Sequence, residues 1–223
     1  MVNKEANINR FENLMSKVTR DGIEDLVAYL KGHTDFFTAP ASTRFHLSCE
    51  GGLLQHSLNV YDCLVKKKES PIWKSVLNSV SEESIIIMAL FHDLCKVNMY
   101  SKTARNVKTY DADKVAAAQG RGVKTDELGA FIWEAVIGYE VKDTIPLGHG
   151  EKSVIIAQQF IKLNSFEVFA IRWHMGFSVE KADYGSVGSA MELFPIVLAL
   201  HEADLEATKL METETGNKEE YIS

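Results

Sequence analysis

Six side chains able to bind a divalent metal stand in the order His56, His92-Asp93, His149, His174 and Asp204. His92 and Asp93 are neighbours at the polar end of an otherwise oily run, Ser84-Ile85-Ile86-Ile87-Met88-Ala89-Leu90-Phe91. Imidazole nitrogen with carboxylate oxygen is a donor set for a divalent metal. A metal held this way can make water a nucleophile at neutral pH. A single His on an apolar face is more often a packed residue than a ligand. The set reads differently, because His56, His92, Asp93 and Asp204 all fall on expected helices among apolar neighbours. An uncompensated carboxylate in such a place is costly. A metal removes that cost for both acids; a buried salt bridge could do the same for one, although few Lys or Arg share those faces.

The elements that must carry these residues are mostly helical. Phe11, Leu14, Met15 and Val18, then Ile23, Leu26, Val27 and Leu30, recur at helical spacing and predict two amphipathic helices between Asn7 and Gly32. Gly51-Gly52 opens a helix from Leu53 to Lys67, with His56 on the face of Leu53, Val60, Cys63 and Leu64. Ser81 is the expected N-cap of the helix that ends in His92-Asp93, with Glu82 and Glu83 favourable in its first turn. Ser101 to Gly129 reads as an irregular, basic excursion with one short helix. Phe131 to Ile145 partly alternates and predicts a small β-hairpin. A helix over 152–163 follows His149, and Asn164 with Glu167 forms a capping-box start for the helix ending at His174. A Gly-rich loop, Phe177 to Gly188, precedes a last helix that starts near Pro195 and carries His201 and Asp204. The fold class expected is all-α, a mainly helical bundle with a small β-hairpin insertion, as one domain over 1–211 and a polar, fraying tail over 212–223.

Bulk composition narrows the classes. The chain has 223 residues, 46% hydrophobic and 25% charged, with a formal net charge of −7, the profile of an ordinary globular protein. The negative balance argues against a surface that tracks nucleic acid throughout. Cys49, Cys63 and Cys95 show no CxxC spacing. With no signal-peptide pattern, they point to reduced thiols and a cytoplasmic location. The longest apolar run is far below the ~20 residues that span a bilayer, so no membrane partner is expected.

The ordered motifs resemble those of the HD-domain phosphohydrolase superfamily. Gly51-Gly52-Leu53-Leu54-Gln55-His56-Ser57-Leu58 is similar to its first histidine motif, and Ala89-Leu90-Phe91-His92-Asp93-Leu94-Cys95-Lys96 to its signature His-Asp motif. His201-Glu202-Ala203-Asp204 is similar to its last motif. Leu147-Gly148-His149 and Ile171-Arg172-Trp173-His174-Met175-Gly176 are similar to the extra histidine motifs of its binuclear branch. Over roughly residues 40 to 210 the chain resembles the HD domain of bacterial 3′-to-5′ exoribonucleases. It departs from them in having His174-Met175 where two adjacent histidines often stand, in lacking their separate nucleic-acid-binding domain, and in a longer insertion over 101–145.

The resemblance implies an HD-type helical bundle. It implies one metal held by His56, His92, Asp93 and Asp204, and a second that Asp93 shares with His149 and His174. It implies hydrolysis of a phosphomonoester or phosphodiester, on a nucleotide, by metal-activated hydroxide. One or two ions are expected, and the mixed donor set suits Mn, Fe, Co or Ni better than Mg or Zn. Lys96 is placed either on substrate phosphate and leaving group or as a solvated helix-end lysine. Arg172 and His46 are further substrate-binding candidates, and His201 a proton donor or a partner of Asp204. Glu151 either orients His149 or caps its helix. The basic side chains from Lys102 to Lys124 form a lid or a solvated loop. Trp133 and Tyr139 either stack a base or pack the hairpin. The alternatives to a small phosphorylated substrate are a 3′-to-5′ exonuclease on short oligonucleotides, an HD-type diiron oxygenase and a non-catalytic nucleotide sensor. Oligomeric state is left open.

Overall fold

The computed structural model describes residues 2–212. Two helices, α1 (Lys4–Met15) and α2 (Ile23–His33), start the chain as the apolar spacing predicts, burying Phe11, Leu14, Ile23, Leu26 and Leu30. Gly51, in the left-handed region at φ 77°, and Gly52 turn the chain into α3 (Gly52–Lys67). A Cβ on Gly52 would lie 2.1 Å from the Leu47 carbonyl oxygen, so only glycine fits there. A short helix, α4 (Pro71–Leu77), begins on Pro71. Its proline has no N–H to orphan at that position.

The helix α5 (Glu82–Phe91) is capped by the Ser81 hydroxyl, which accepts from Ser84 N. Ile85 through Phe91 are buried on every side, the pattern of a central helix. It packs against α3 and α8 (Ser165–Trp173), which in turn meet α10 (Ile196–Glu206), while α10 returns to α3. These four helices form a closed ring of neighbours, with α7 (His149–Gln158) alongside α8. The capping box at Asn164 and Glu167 is present. Glu167 also has a second role: it is fully buried and receives both Arg20 guanidinium nitrogens at 2.9 and 3.0 Å and the Ser84 hydroxyl at 2.6 Å. That network ties the α1–α2 connection to α5 and α8.

Two parts depart from expectation. The fold is mixed, not all-α. It is 54% helical and carries a three-stranded antiparallel sheet in the order β1-β3-β2. Strand β1 (Tyr100–Thr109) lies in the stretch read as irregular, and pairs along its length with β3 (Gly129–Val141), from Tyr100 opposite Val141 to Thr109 opposite Ile132. The segment read as a hairpin is therefore one long strand, with β2 (Lys124–Asp126) on its other edge and a short helix, α6 (Ala112–Ala117), in the connection. The sheet has little burial to advertise: β1 shows no buried residue, and Ile137 on β3 is 74% exposed. Alternation is a signal only where one face is buried. Gly138 does not break β3. It sits opposite Thr103, where a Cβ would press the Arg105 side chain at 3.0 Å.

The second departure is the Gly-rich stretch, whose latter half belongs to α9 (Tyr184–Leu193). Gly185 and Gly188 have open space around them, and the helix is held by Val187 and Ala190 packing with Trp173 and Val197. The chain then leaves α10 through a π-helical turn, Ala207–Met211. No helix among the described residues is long and apolar enough to cross a membrane. The expected polar tail lies outside the described residues except for its first member, Glu212.

Candidate metal centre

Each helix of the ring delivers one ligand candidate: His56 from within α3, His92 at the end of α5, His174 at the end of α8 and Asp204 from α10. His92 and His174 are placed by the same device. Each is the C-cap of its helix, and each ring Nδ1 lies on the carbonyl oxygen three residues back, Ala89 O at 2.9 Å and Ile171 O at 2.8 Å. Helix C-termini leave such carbonyls without partners. A carbonyl only accepts, so Nδ1 carries the proton and Nε2 is turned outward, away from the helix. His56 reaches the same result through Glu212, whose carboxylate accepts from Nδ1 at 2.9 Å. Second partners of this kind fix the tautomer of metal-ligating histidines.

The three Nε2 atoms converge on two carboxylates. His56 Nε2 stands 3.3 Å from His92 Nε2, 3.2 Å from Asp204 Oδ1 and 3.6 Å from Asp93 Oδ2. His92 Nε2 is 3.5 Å from Asp93 Oδ2, and His174 Nε2 is 3.5 Å from Asp93 Oδ1. Most of these separations exceed the 2.7–3.2 Å of a good N–H···O bond. They match the ~3.4 Å between two donors that share a tetrahedral ion at 2.0–2.1 Å. His174 is fully buried, and its Nε2 has no hydrogen-bond partner. Buried polar atoms are rarely left so. The donor set and the orphaned nitrogen fit a divalent cation. His56, His92 and Asp204 form one potential ligand group, and His92, Asp93 and His174 a second.

Charge inside the cluster follows from burial and from these pairings. Burial pulls the His56 imidazolium down, but Asp204 and Glu212 prevail and raise its pKa to about 9. His92 is lowered to about 4 by burial, so it is neutral. Burial works against the Asp93 and Asp204 carboxylates, yet Lys96 and the histidines around Asp93, and His56 beside Asp204, hold both below the ordinary range. The strongest single pairing is Lys96 Nζ to Asp93 Oδ2 at 2.6 Å, with the Lys96 side chain 13% exposed.

No family model, curated protein or solved structure matches the chain.

The other expected residues fall unevenly around it. His149 opens α7, is exposed, and groups with Asp93 through Cys95, whose sulfur is 3.1 Å from His149 Nδ1. Glu151 does not hold His149. It pairs with Arg172, whose guanidinium also lies 3.8 Å over the Trp173 ring, so Arg172 is engaged in packing α7 against α8. Gly150 permits that approach, since a Cβ there would meet the Arg172 carbonyl oxygen at 2.0 Å. His201 does not bond Asp204. Its Nδ1 donates to the His174 carbonyl at 2.7 Å. Gly176, at φ 56°, leaves room for the His201 ring. His46 packs on His56 with ring centroids 5.1 Å apart, and burial lowers its pKa to about 4. Of the basic excursion, Lys102 pairs with Glu50, Lys108 with Asp126 and Lys114 with Glu134. Lys108 also covers the Phe131 ring at 4.4 Å.

Sequence reasoning missed Glu212 and Cys95. Glu212 stands in a polar stretch with no periodicity to place it, and only the π-helical turn brings it back to His56. Cys95 carried a legible signal, being two residues from Asp93 in the His-Asp motif.

Proposed function

We propose that the chain is a metal-dependent phosphohydrolase that cleaves a phosphomonoester or phosphodiester, with nucleotides as the favoured substrate class. The observation that carries this reading is the convergence of the His56, His92 and His174 Nε2 atoms on the Asp93 and Asp204 carboxylates at 3.2–3.6 Å. The motif order that resembles the HD-domain phosphohydrolases supports phosphate-ester hydrolysis over other uses of the same donors. His56, His92, Asp93 and Asp204 would hold one ion, and Asp93, His174 and His149 a second. A bound divalent ion supplies Lewis acidity toward a phosphoryl oxygen and lowers the pKa of water.

The side chains do the rest. The Ala89 and Ile171 carbonyls and the Glu212 carboxylate aim the imidazoles, which keeps their donor atoms preorganised. Lys96, the ammonium already at Asp93, is the cation nearest the cluster and is assigned to a substrate phosphoryl oxygen. His201 uses Nδ1 on the His174 carbonyl and retains Nε2 for proton transfer to the leaving group. Arg172, tied to Glu151 and Trp173, is not assigned to phosphate. The net charge of −7 and the pairing of Lys108 and Lys114 with acids favour a small substrate over long RNA.

The test is metal analysis of the purified protein with a screen of nucleotides and phosphate esters under added Mn²⁺. Phosphate release lost in His92→Ala and Asp93→Ala is expected, and unchanged turnover in those variants overturns the assignment. A ladder of shortened products from a labelled oligonucleotide would move the substrate to nucleic acid. Oxygen consumption with an iron resonance signal and no phosphate release would replace hydrolysis by oxygenase chemistry.

A further inference from the structure

The two oxygens of Asp93 face different surroundings. Around Oδ2 lie His56 Nε2, His92 Nε2 and the Lys96 ammonium. Around Oδ1 lie His174 Nε2 at 3.5 Å and the Cys95 sulfur at 3.8 Å. The Cys95 sulfur in turn sits 3.1 Å from His149 Nδ1, and Asp93, Cys95 and His149 have donor atoms all within 4.8 Å of one another. A sulfur at 2.3 Å and a nitrogen or oxygen at 2.0–2.1 Å from one tetrahedral ion lie ~3.6 Å apart. The observed 3.1 and 3.8 Å bracket that value.

Cys95 is fixed there by the backbone. It lies in the short 3₁₀ turn Leu94–Lys96, and its N–H donates to the Ser153 hydroxyl at 3.0 Å, which locks the turn to α7. That same helix begins with His149, so one contact sets sulfur and imidazole together. Asp93 Oδ1 is shared: the fully buried His174 Nε2, without a hydrogen-bond partner, stands 3.5 Å from it and groups with His92 and Asp93, while Cys95 and His149 group with the same carboxylate.

We propose that Cys95 is a thiolate ligand of the second ion, joining Asp93 Oδ1 and His149 Nδ1 in one donor group. The inference rests on the metal-dependent reading above, and adds that the two ions occupy chemically different sites. The first site is nitrogen and oxygen only. The second contains sulfur, which selects Zn²⁺, Fe²⁺ or Co²⁺ over Mn²⁺ and Mg²⁺. On binding, the metal–sulfur bond replaces the S–H bond, and the proton leaves to solvent. The ions are then unequal in affinity and identity, and a preparation loaded with Mn²⁺ alone fills the first site preferentially.

Cobalt substitution of the chelated full-length protein tests this without reference to turnover. With two Co²⁺ bound, the wild type should show a near-ultraviolet thiolate-to-cobalt charge-transfer band beside the visible ligand-field bands. Cys95→Ser should lose the charge-transfer band, keep the visible bands of the first site, and weaken the second ion by about 10-fold or more. Cys49→Ser and Cys63→Ala should keep the band. The zinc-loaded wild type supplies a check that needs no variant: its metal-edge absorption should contain a sulfur shell at ~2.3 Å. Two bound ions with no charge-transfer band and no sulfur shell would overturn the role of Cys95 alone. Persistence of the band in Cys95→Ser would do the same. Failure of the wild type to bind any cobalt would overturn the metal reading beneath it.

Discussion

Replacing Glu212 measures how far its carboxylate controls the His56 group of the candidate metal centre. The Glu212 carboxylate accepts from His56 Nδ1 and from Asn59 Nδ2, each at 2.9 Å, and its side chain is 1% exposed. A hydrogen bond to a charged group contributes ~1.5–3 kcal/mol, and a neutral one ~0.5–1.5. Glu212→Gln keeps one carbonyl acceptor and loses the charge, a change of roughly 1–1.5 kcal/mol. At 1.4 kcal/mol per tenfold, metal affinity should weaken about 5- to 10-fold. Glu212→Ala leaves both donors unmet in a dry place, so the loss should approach 100-fold, the upper end for partners that orient a metal-binding histidine. Competition against a chromophoric chelator reads both constants. The secondary check is kinetic: the metal concentration for half-maximal turnover should rise while turnover at saturating metal changes little. Affinities within twofold of wild type for both variants would refute the orienting role, and with it the account of how His56 is aimed.

The remaining expectations concern charge and backbone. His56 is raised from 6.5 to about 9, so the stability it gives the metal-free protein is full below pH 6.5 and is lost as pH rises through 9. At 1.36 kcal/mol per pKa unit this is at most about 3 kcal/mol. For a chain of this size the metal-free Tm should fall by roughly 5–10 °C between pH 6.5 and 9. Metal competes with the proton on His56, so loaded protein should show a widening Tm advantage over the same interval in a thermal scan, and a flat metal-free Tm would contradict the charge assignment. Gly176→Ala forces a side chain onto a left-handed backbone and places a Cβ 2.5 Å from the His201 ring. It should cost about 1–3 kcal/mol, read by urea unfolding, and Gly185→Ala in open space should not. Arg20→Met leaves the fully buried Glu167 carboxylate without its cation, which should cost ~3 kcal/mol or more. Glu83→Gln, which removes only the outer pairing at 3.1 Å, should cost under ~1 kcal/mol.

The helical part of the fold was legible because its signals are local. Ser81 and the Asn164–Glu167 box mark helix starts by hydrogen bonds that a sequence can show. Ile85 to Phe91 announces a buried helix by having no polar face. The sheet was not legible, because β1 and β3 are held by their ladder and by pairs such as Ser101 with Glu140, not by a buried face with period two. The extent of β3 was misjudged through Gly138, which reads as a break in sequence and in space only makes room for Arg105. At the site, His56, His92, Asp93 and Asp204 were placed by helical facing. His174 was found by motif order, although its tether to a helix-end carbonyl repeats that of His92. The pairing of Arg172 was not legible, because its partner Glu151 lies on another helix.

The arrangement also explains how a chain can keep so many metal donors together while remaining folded. Three buried imidazoles and two carboxylates at 3.2–3.6 Å would repel if all presented lone pairs. Lys96 neutralises Asp93 at 2.6 Å, and His56, drawn toward its charged form, serves Asp204 at 3.2 Å and Glu212 at 2.9 Å. His92 adds nothing to the charge because burial keeps it neutral. His174 is fully buried, yet Asp93 and Asp204 draw its imidazole toward the charged form, while its Nε2 stands 3.5 Å from Asp93 Oδ1 without a hydrogen bond. Small metal domains whose core is the site itself unfold without metal. In this protein the ring of α3, α5, α8 and α10 has its own apolar core, and the two buried side-chain polar atoms without a hydrogen-bond partner among the described residues, His46 Nε2 and His174 Nε2, both stand at the cluster. Local inconsistency of that kind concentrates where a protein works, and here it falls between His174 and Asp93 Oδ1, on the side where Cys95 and His149 stand.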